Sequence, residues 1–391
     1  MTGEGREFQP YWAGSPEEGD RPAPGPPCRI TAEDGAASWL FTRFEDVRAV
    51  LADSRFSADP ALPGYPCGPG HRGASTTGSL IRMDGAQHQQ IRRRLAAEFS
   101  LARIARYEPL VAAVADEAVD GLLAQGPGAD FVAAVGKPAA VGVAAGVLGI
   151  PRELRGRFTE EVRHLHDPTF PAELRAEADR NLVERLAALF AARRDRPTDD
   201  LIGRLAHDAP DASDQTVLDV RLILAASVQT TSSMIGLTAL SMLRLEPRQR
   251  NLLAEPDRLA AVVEEALRYW SVVQTGPRRV AREPVRVGDR LLGAGDGAIV
   301  SLPAANRDPE AFDGDVETMD LEMDAPRRRH LAFGYGPHQC LGQNFARTVL
   351  HGVLKTVVTR IPNLHLAADP DELRFTDHAV IYGVEHLPVA W

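Results

Sequence analysis

Cysteine is scarce in this chain. There are three, Cys28, Cys67 and Cys340. They lie far apart and form no C-x-x-C pair, which excludes a disulfide framework and a cysteine-built zinc site as organising devices. Cys28 and Cys67 read as small buried hydrophobes. An excess of positive charge is also missing: 44 Lys and Arg stand against 54 Asp and Glu, a net charge of -10. Such a chain is a poor nonspecific binder of phosphate backbones, so nucleic acid is not expected as a partner. No run of about 18 uninterrupted apolar residues occurs, so no membrane partner or span is expected. The opening MTGEGREFQPYW lacks the apolar core of a signal peptide, and the expected location is cytoplasmic. No internal repeat is visible.

What is present is ordinary for a globular protein: 391 residues, 44% hydrophobic and 25% charged. Residues 1–27 are rich in Pro, Gly and Glu and read as an extended lead-in. CRITAEDGAASWLF reads as two short strands around the turn EDG. RFEDVRAVLAD has helical spacing, and ADPALPGYPCGPGHRGASTTG is a long Gly/Pro loop of the kind that carries function. From Asp84 to about Asp208 the pattern is mostly helical. SDQTVLDVRLILAASVQTTSSMIGLTALSML opens on a capping-box-like Ser213 and is apolar nearly all round, which predicts a long central helix. PDRLAAVVEEALRYW reads as a helix, and GPRRVAREPVRVGDRLLGAGDGAIVSLP as short strands with Gly turns. An irregular stretch follows from 306 to 332, and a helix is expected from Leu341 to about Arg360.

Between them lies FGYGPHQCLG, residues 333–342. A lone sulfur, Cys340, sits where a helix begins, and a helix N-terminus favours a thiolate. Gly334 and Gly336 permit backbone conformations that other residues resist. Gly342 removes a side chain just past the sulfur, so a flat group has room. Phe333 is placed to shield the sulfur, and His338 to donate a hydrogen bond to an anionic edge. Together these suit a cysteine thiolate as axial ligand to haem iron.

The decapeptide resembles the haem-binding loop of the cytochrome P-450 superfamily, Phe-Gly-x-Gly-x-His-x-Cys-x-Gly. Other segments agree in order. EEALR contains Glu265 and Arg268, which resemble the family's structural E-x-x-R pair; at i, i+3 they are spaced to salt-bridge. MDGAQHQQIRRRL resembles the family's segment whose His and Arg, here His88 and Arg92, reach the haem propionates. GPRRVAREPV resembles the strand whose arginine, here Arg279, also meets a propionate. The resemblance covers roughly residue 30 to the end. It implies a mainly α fold with small β-sheets (α+β): one haem-thiolate catalytic domain over 28–391, with a long central helix over the haem and the cysteine loop beneath it. The implied cofactor is haem b (iron protoporphyrin IX), with Cys340 as the iron ligand.

Two departures stand out. The central helix carries AASVQTT where the family has Ala-Gly-x-Asp/Glu-Thr-Thr. Thr230 matches the threonine that organises water and protons beside bound oxygen, but Gln229 stands at the acid position, and an amide cannot relay protons by ionising. Ser227 replaces the glycine. In DVETMDLEM, Thr318 occupies the place of an arginine that often completes a triad with the E-x-x-R pair, which puts the triad in doubt.

By resemblance, two electrons, two protons and O2 are used at the iron to oxidise a small organic molecule. The electrons come from a separate ferredoxin and ferredoxin reductase, since no flavin or iron–sulfur segment is fused here. The arginines at 92–94 and 327–329, with Arg347, are a candidate docking face. The pocket roof falls to the loop at 57–83 and the helices between Pro151 and Arg194. The walls fall to Ala225, Ala226, Val228, Gln229, Val273, Gln274, Thr275, Val380 and Ile381, a mostly apolar lining for a medium-sized natural-product-like substrate. Three activities follow: a secondary-metabolite monooxygenase that hydroxylates or epoxidises, an oxidase that couples or cyclises aromatic substrates without inserting oxygen, and a non-catalytic haem-thiolate sensor.

Overall fold

The computed structural model describes residues 6–7, 23–32, 34–67, 79–166, 170–196, 198–208, 214–246, 249–250, 253, 255–274, 276–321, 329–376 and 380–391. In chain order come β1 (Arg6–Glu7), β2 (Cys28–Thr31), β3 (Ala37–Phe41), α1 (Phe44–Ala52), β4 (Phe56–Ser57) and α2 (Gly85–Glu98). Next are α3 (Leu101–Ala105), α4 (Glu108–Gln125), β5 (Ala129–Asp130), α5 (Lys137–Leu148), α6 (Arg155–His166), α7 (Ala172–Asp195), α8 (Leu201–Asp208) and α9 (Asp214–Leu243). The chain closes with α10 (Pro256–Trp270), β6 (Arg278–Ala281), β7 (Val285–Val287), β8 (Arg290–Leu292), β9 (Gly297–Val300), α11 (Leu302–Ala305), α12 (Gln343–Arg360), β10 (His365–Leu366) and β11 (Pro388–Ala390).

The chain divides into two compact units. The first holds Met1–Leu95, Ala260–Gln343 and Arg374–Gly383; the second holds Ala96–Leu259, Asn344–Leu373 and Val384–Trp391. In the first unit a sheet runs in the order β1-β2-β3-β9-β6-β4. β2 and β3 are antiparallel around a turn at Asp34 and Gly35, as their sequence predicts, and β3 pairs parallel with β9. The lead-in contributes β1, which pairs parallel with β2. Cys28, expected to be buried, is exposed, because β2 turns only Ile30 fully inward. Cys67 is buried.

Helix α1 buries Phe44, Val47, Val50 and Leu51 along one stripe. Its residue before the first turn, Arg43, cannot cap it, and Asp308 does so from far along the chain by accepting the Phe44 N–H at 2.8 Å. In α10, Trp270 is fully buried and stacks near Tyr382 and Phe375, with ring centroids 6.1 and 6.2 Å away. Gly276 has φ +57° and a Cβ there would lie 1.7 Å from the Val300 carbonyl oxygen, so the chain turns into β6 only with glycine.

The second unit is built on helices. α9 is unbroken over 30 residues, and every residue from Ser232 to Met242 is buried. It is long and apolar enough to cross a membrane by length and composition, but more than half of that stretch is inside the core. Substitution of Ser227 for the glycine leaves the helix uninterrupted. Ser213, the expected cap, lies outside the described residues. α5 packs on α4 closely because Gly146 leaves room: a Cβ there would meet both Leu110 methyls at 2.7 Å. A small antiparallel sheet, β10-β11-β5, completes this unit.

Candidate active site

The decapeptide is held by its own backbone. Gly334 donates to the Leu331 carbonyl at 2.8 Å, Gln339 to the Gly336 carbonyl at 3.0 Å, and Cys340 to the Phe333 carbonyl at 2.8 Å. Gly334 and Gly336 have φ of +69° and +72°. At Gly336 a side chain is excluded twice, since a Cβ would also sit 2.5 Å from the Leu51 carbonyl oxygen of α1. Arg48 of α1 braces the loop by donating to Tyr335 Oη at 2.9 Å while lying over the same ring. Cys340 is exposed, and the Cα of Gly334 and of Gly342 face open space, with nothing within 4 Å of a Cβ built on either.

The helix does not begin at Leu341. α12 starts at Gln343, after a turn over Leu341 and Gly342, because glycine is a poor helix residue and the boundary slides past it. The sulfur therefore lies just ahead of the helix N-terminus, still at its positive end.

Beside the loop, three basic side chains expected at haem carboxylates come together within the first unit. His88 is 2% exposed, and its Nε2 has no hydrogen-bond partner. Burial first, then the charges of His338 and Arg92, hold its pKa at about 4, so the ring is neutral near pH 7. It stacks on His338 with centroids 4.2 Å apart. Arg92 donates to the Gln339 carbonyl at 2.5 Å, one residue before the cysteine. Arg279, on β6, is 5% exposed; it donates to the Arg278 carbonyl at 2.7 Å, and no carboxylate pairs with it among the described residues. Burial lowers the pKa of both arginines from the usual value.

Sequence reasoning missed Asp84. Its carboxylate accepts from Ser57 Oγ and from the Ala58 N–H at 3.1 Å, and lies 3.4 Å from His338 Nε2. Burial alone would raise its pKa, but the bonds from His338, Ser57 and Ala58 outweigh that and hold it at about 2. The only signal in the sequence was an acidic residue directly before α2, which reads equally well as a helix cap.

Glu265 and Arg268 are both buried and pair in a fork, Nη2 to Oε1 at 2.6 Å and Nε to Oε2 at 2.8 Å. The doubt raised at Thr318 resolves through the backbone. Arg268 donates to the carbonyls of Asn306, Val316 and Thr318, and Glu265 Oε1 accepts the Asp320 N–H at 2.9 Å. The segment that lacks the third arginine thus holds the pair with main-chain groups.

Of the proposed pocket walls, two distant segments meet. Val273 bridges antiparallel to Ile381, and the Gln274 N–H donates to the Val380 carbonyl at 3.1 Å. Gln274 is 3% exposed, with Nε2 on the Ser271 carbonyl and Oε1 without a partner. Thr275 and residues 68–78 of the proposed roof lie outside the described residues, as do Arg327 and Arg328. Ala226, Gln229 and Thr230 belong to the second unit. There the Thr230 hydroxyl donates to the Ala226 carbonyl at 2.7 Å, and Ser227 Oγ to the Leu224 carbonyl at 3.1 Å.

A haem fits these residues. Among the described residues, an unpartnered buried imidazole nitrogen and a buried guanidinium without a counter-ion call for an anionic group, and the glycine-cleared loop presents an exposed sulfur. Among the described residues no group of three His, Cys, Asp or Glu is placed to hold a bare metal ion instead.

The comparisons agree. The cytochrome P450 family model matches residues 208–362. The chain is 39% identical over 369 residues to cytochrome P450-SU2 of Streptomyces griseolus, covering 94% of this chain and 91% of that one. It is 37% identical over 371 residues to 20-oxo-5-O-mycaminosyltylactone 23-monooxygenase of Streptomyces fradiae, covering 94% and 87%. The crystal structure of mycinamicin VIII C21 methyl hydroxylase from Micromonospora griseorubida, bound to mycinamicin VIII, superposes with a TM-score of 0.86 at 32% identity over 94% of each chain. With this much sequence and structure shared along nearly its whole length, the chain belongs to the cytochrome P450 family and is an oxidoreductase of the monooxygenase kind.

Proposed function

We propose that the protein is a haem-thiolate monooxygenase of secondary metabolism that hydroxylates or epoxidises a medium-sized, mostly apolar natural-product-like molecule. The observation that carries this is the exposed Cys340 on its glycine-cleared loop, beside the buried His88, whose Nε2 has no hydrogen-bond partner, and the buried Arg279, with which no carboxylate pairs among the described residues. Residues 28–391 act as one catalytic domain, and residues 1–27 as its lead-in. The bound group is haem b, which supplies activation of O2 and oxidation of the substrate.

The chain's own residues then have separable tasks. Cys340 donates sulfur electron density, and Phe333 keeps water from that sulfur. His88, Arg92, Arg279 and His338 hold the haem carboxylates. Thr230 keeps its hydroxyl proton on the Ala226 carbonyl, which leaves its oxygen lone pairs to accept from water. Glu265 and Arg268 stay structural. The resemblance makes Ala226 and Gln229, and separately Val273, Gln274, Val380 and Ile381, candidate substrate contacts. Relatives named for mycinamicin VIII and for 20-oxo-5-O-mycaminosyltylactone support a substrate of that general size and chemistry. Electrons come from a separate ferredoxin and its reductase, and the protein works in the cytoplasm.

One observation favours a second reading. Gln229 cannot ionise, and this altered acid position is compatible with oxidative coupling without oxygen insertion, in which substrate radicals recombine with one another. Turnover with a surrogate ferredoxin and reductase separates the readings by product mass: one oxygen gained, hydrogens lost, or no change for a non-catalytic sensor. Cys340→Ser is expected to abolish the red-shifted Soret band of the reduced carbon monoxide complex. Survival of that band removes Cys340 as the ligand.

A further inference from the structure

Three groups that haem binding leaves unused, Arg268, Ser271 Oγ and the Leu331 N–H, meet at one residue, Asn306, just after α11. It is fully buried. Its carboxamide is engaged at both ends: Nδ2 donates to Ser271 Oγ at 2.7 Å, and Oδ1 accepts the Leu331 N–H at 2.6 Å. Its own carbonyl accepts from Arg268 Nη1 at 2.8 Å. An oxygen and a nitrogen with such different partners fix the orientation of the amide.

Ser271 is the rigid end of this connection. Its φ is +40°, the sole positive value at a non-glycine among the described residues. A serine persists there only where its surroundings over-determine it. Its hydroxyl proton goes to the Arg268 carbonyl at 2.7 Å, which leaves the oxygen to accept from Asn306. Arg268 in turn is locked in the fork with Glu265.

Leu331 is the other end, and it leads to the sulfur. The Leu331 carbonyl accepts the Gly334 N–H at 2.8 Å, and the adjoining Phe333 carbonyl accepts the Cys340 N–H at 2.8 Å. A short series of hydrogen bonds therefore runs from the Asn306 carboxamide to the amide of Cys340. A neighbouring tie, from the Ala332 N–H to His330 Nδ1 at 3.2 Å and from His330 Nε2 to Glu264 at 3.0 Å, fixes the ring of His330 but does not reach the Leu331 amide.

We infer that Asn306 is a positioning residue: its carboxamide transmits the fixed C-terminus of α10 to the entry of the cysteine loop and so sets where Cys340 stands. The inference rests on Cys340 as the haem ligand. Nothing about it follows from the loop motif alone, since 25 residues separate 306 from 331.

The test uses the full-length, haem-loaded protein. Asn306→Ala removes both ends of the connection. Asn306→Asp keeps an acceptor for the Leu331 N–H, and Phe312→Leu controls for loss of nearby packing. Hydrogen exchange at Leu331 is read by mass spectrometry, and the red-shifted Soret band of the reduced carbon monoxide complex is read alongside the melting temperature. In Asn306→Ala the Leu331 amide is expected to exchange about tenfold or more faster, as loss of a buried acceptor implies. The same variant is expected to lose most of the red-shifted band. Asn306→Asp is expected to keep Leu331 exchange within about twofold of the parent, because that acceptor remains, but to weaken the band at least about twofold, because the Nδ2 donor to Ser271 is gone.

Unchanged exchange and an unchanged band in Asn306→Ala overturn the inference. So does a Phe312→Leu variant that loses the band to the same degree at the same loss of melting temperature. If Asn306→Ala does not fold, Asn306→Asp decides: a protected Leu331 with a weakened band supports the inference, and an intact band or fast exchange at Leu331 refutes it. Cys340→Ser run in parallel keeps the two readings apart. A band that survives in Cys340→Ser defeats the ligand assignment, whereas a band lost in Cys340→Ser but kept in Asn306→Ala defeats only the role of Asn306.

Discussion

Replacing Arg268 by methionine tests how the region under the cysteine loop is held. The side chain is 4% exposed and makes five hydrogen bonds: two to the Glu265 carboxylate and one each to the carbonyls of Asn306, Val316 and Thr318. Methionine keeps a flexible stem of similar length and removes every one of them. Deleting one partner of a buried ion pair costs roughly 3–5 kcal/mol, because the other charge is left buried and alone. Against a usual total of about 5–15 kcal/mol, that is a large share. The expected loss is measured by urea unfolding of the haem-loaded protein, comparing extrapolated stabilities. The decisive comparison is the double variant Glu265→Leu/Arg268→Met. It leaves no stranded charge, only the Asp320 N–H and three carbonyls without their partners. It is therefore expected to be more stable than Arg268→Met alone by about 1 kcal/mol or more. A single variant within about 1 kcal/mol of the parent, or a double variant less stable than the single, refutes the reasoning.

Further outcomes follow from single observations. Gly336→Ala must place a Cβ against the Leu51 carbonyl at a φ of +72°, so a loss of more than about 1 kcal/mol is expected in thermal melts, and an unchanged melt contradicts the geometry. His88 has a folded-state pKa of about 4 against an unfolded value near 6.5, so the unfolded chain binds the extra proton between those values. The stability linked to His88 in the haem-free protein is complete above pH ~6.5 and declines as pH falls toward ~4. His88→Gln should flatten that limb in urea melts, and an identical slope argues against a buried neutral ring. Asp84 works at lower pH: its contribution is present above pH ~3.9 and is lost as pH falls through about 2, so Asp84→Asn should be less stable than the parent at neutral pH and approach it in strong acid. Gln229→Asp is expected to speed turnover about tenfold or more where proton delivery limits the rate, and unchanged turnover at intact substrate affinity removes that limit from consideration.

Much of the site was legible because its chemistry is local in sequence. The decapeptide carries the sulfur, the two positive-φ glycines and the cleared Gly342 within ten residues, and hydrogen bonds inside and just before it shape the loop. The E-x-x-R pair was legible for the same reason, since one helical turn brings its two members together. Asp84 was not, because a carboxylate before a helix is satisfied in many ways, and its partners Ser57, Ala58 and His338 come from three places in the chain. Thr318 misled for a related reason: its side chain was compared with an arginine, while the contact uses its carbonyl, a group every residue has. The start of α12 was set two residues early because helix boundaries depend on which hydrogen bonds close, and Gly342 delays them.

Residue order alone determined the elements and the ligand loop: periodicity specifies strands and helices, and close spacing in the chain brings the loop's groups together whatever surrounds them. Only the tertiary structure decided which distant groups satisfy one another. It put Asp308 on the first turn of α1, set Val273 against Ile381, gave Arg268 its three carbonyls and placed Asn306 between Ser271 and Leu331. The physical reason is that buried polar groups must find partners, but nothing in a one-dimensional pattern records which of many donors and acceptors will be near enough once the core has closed.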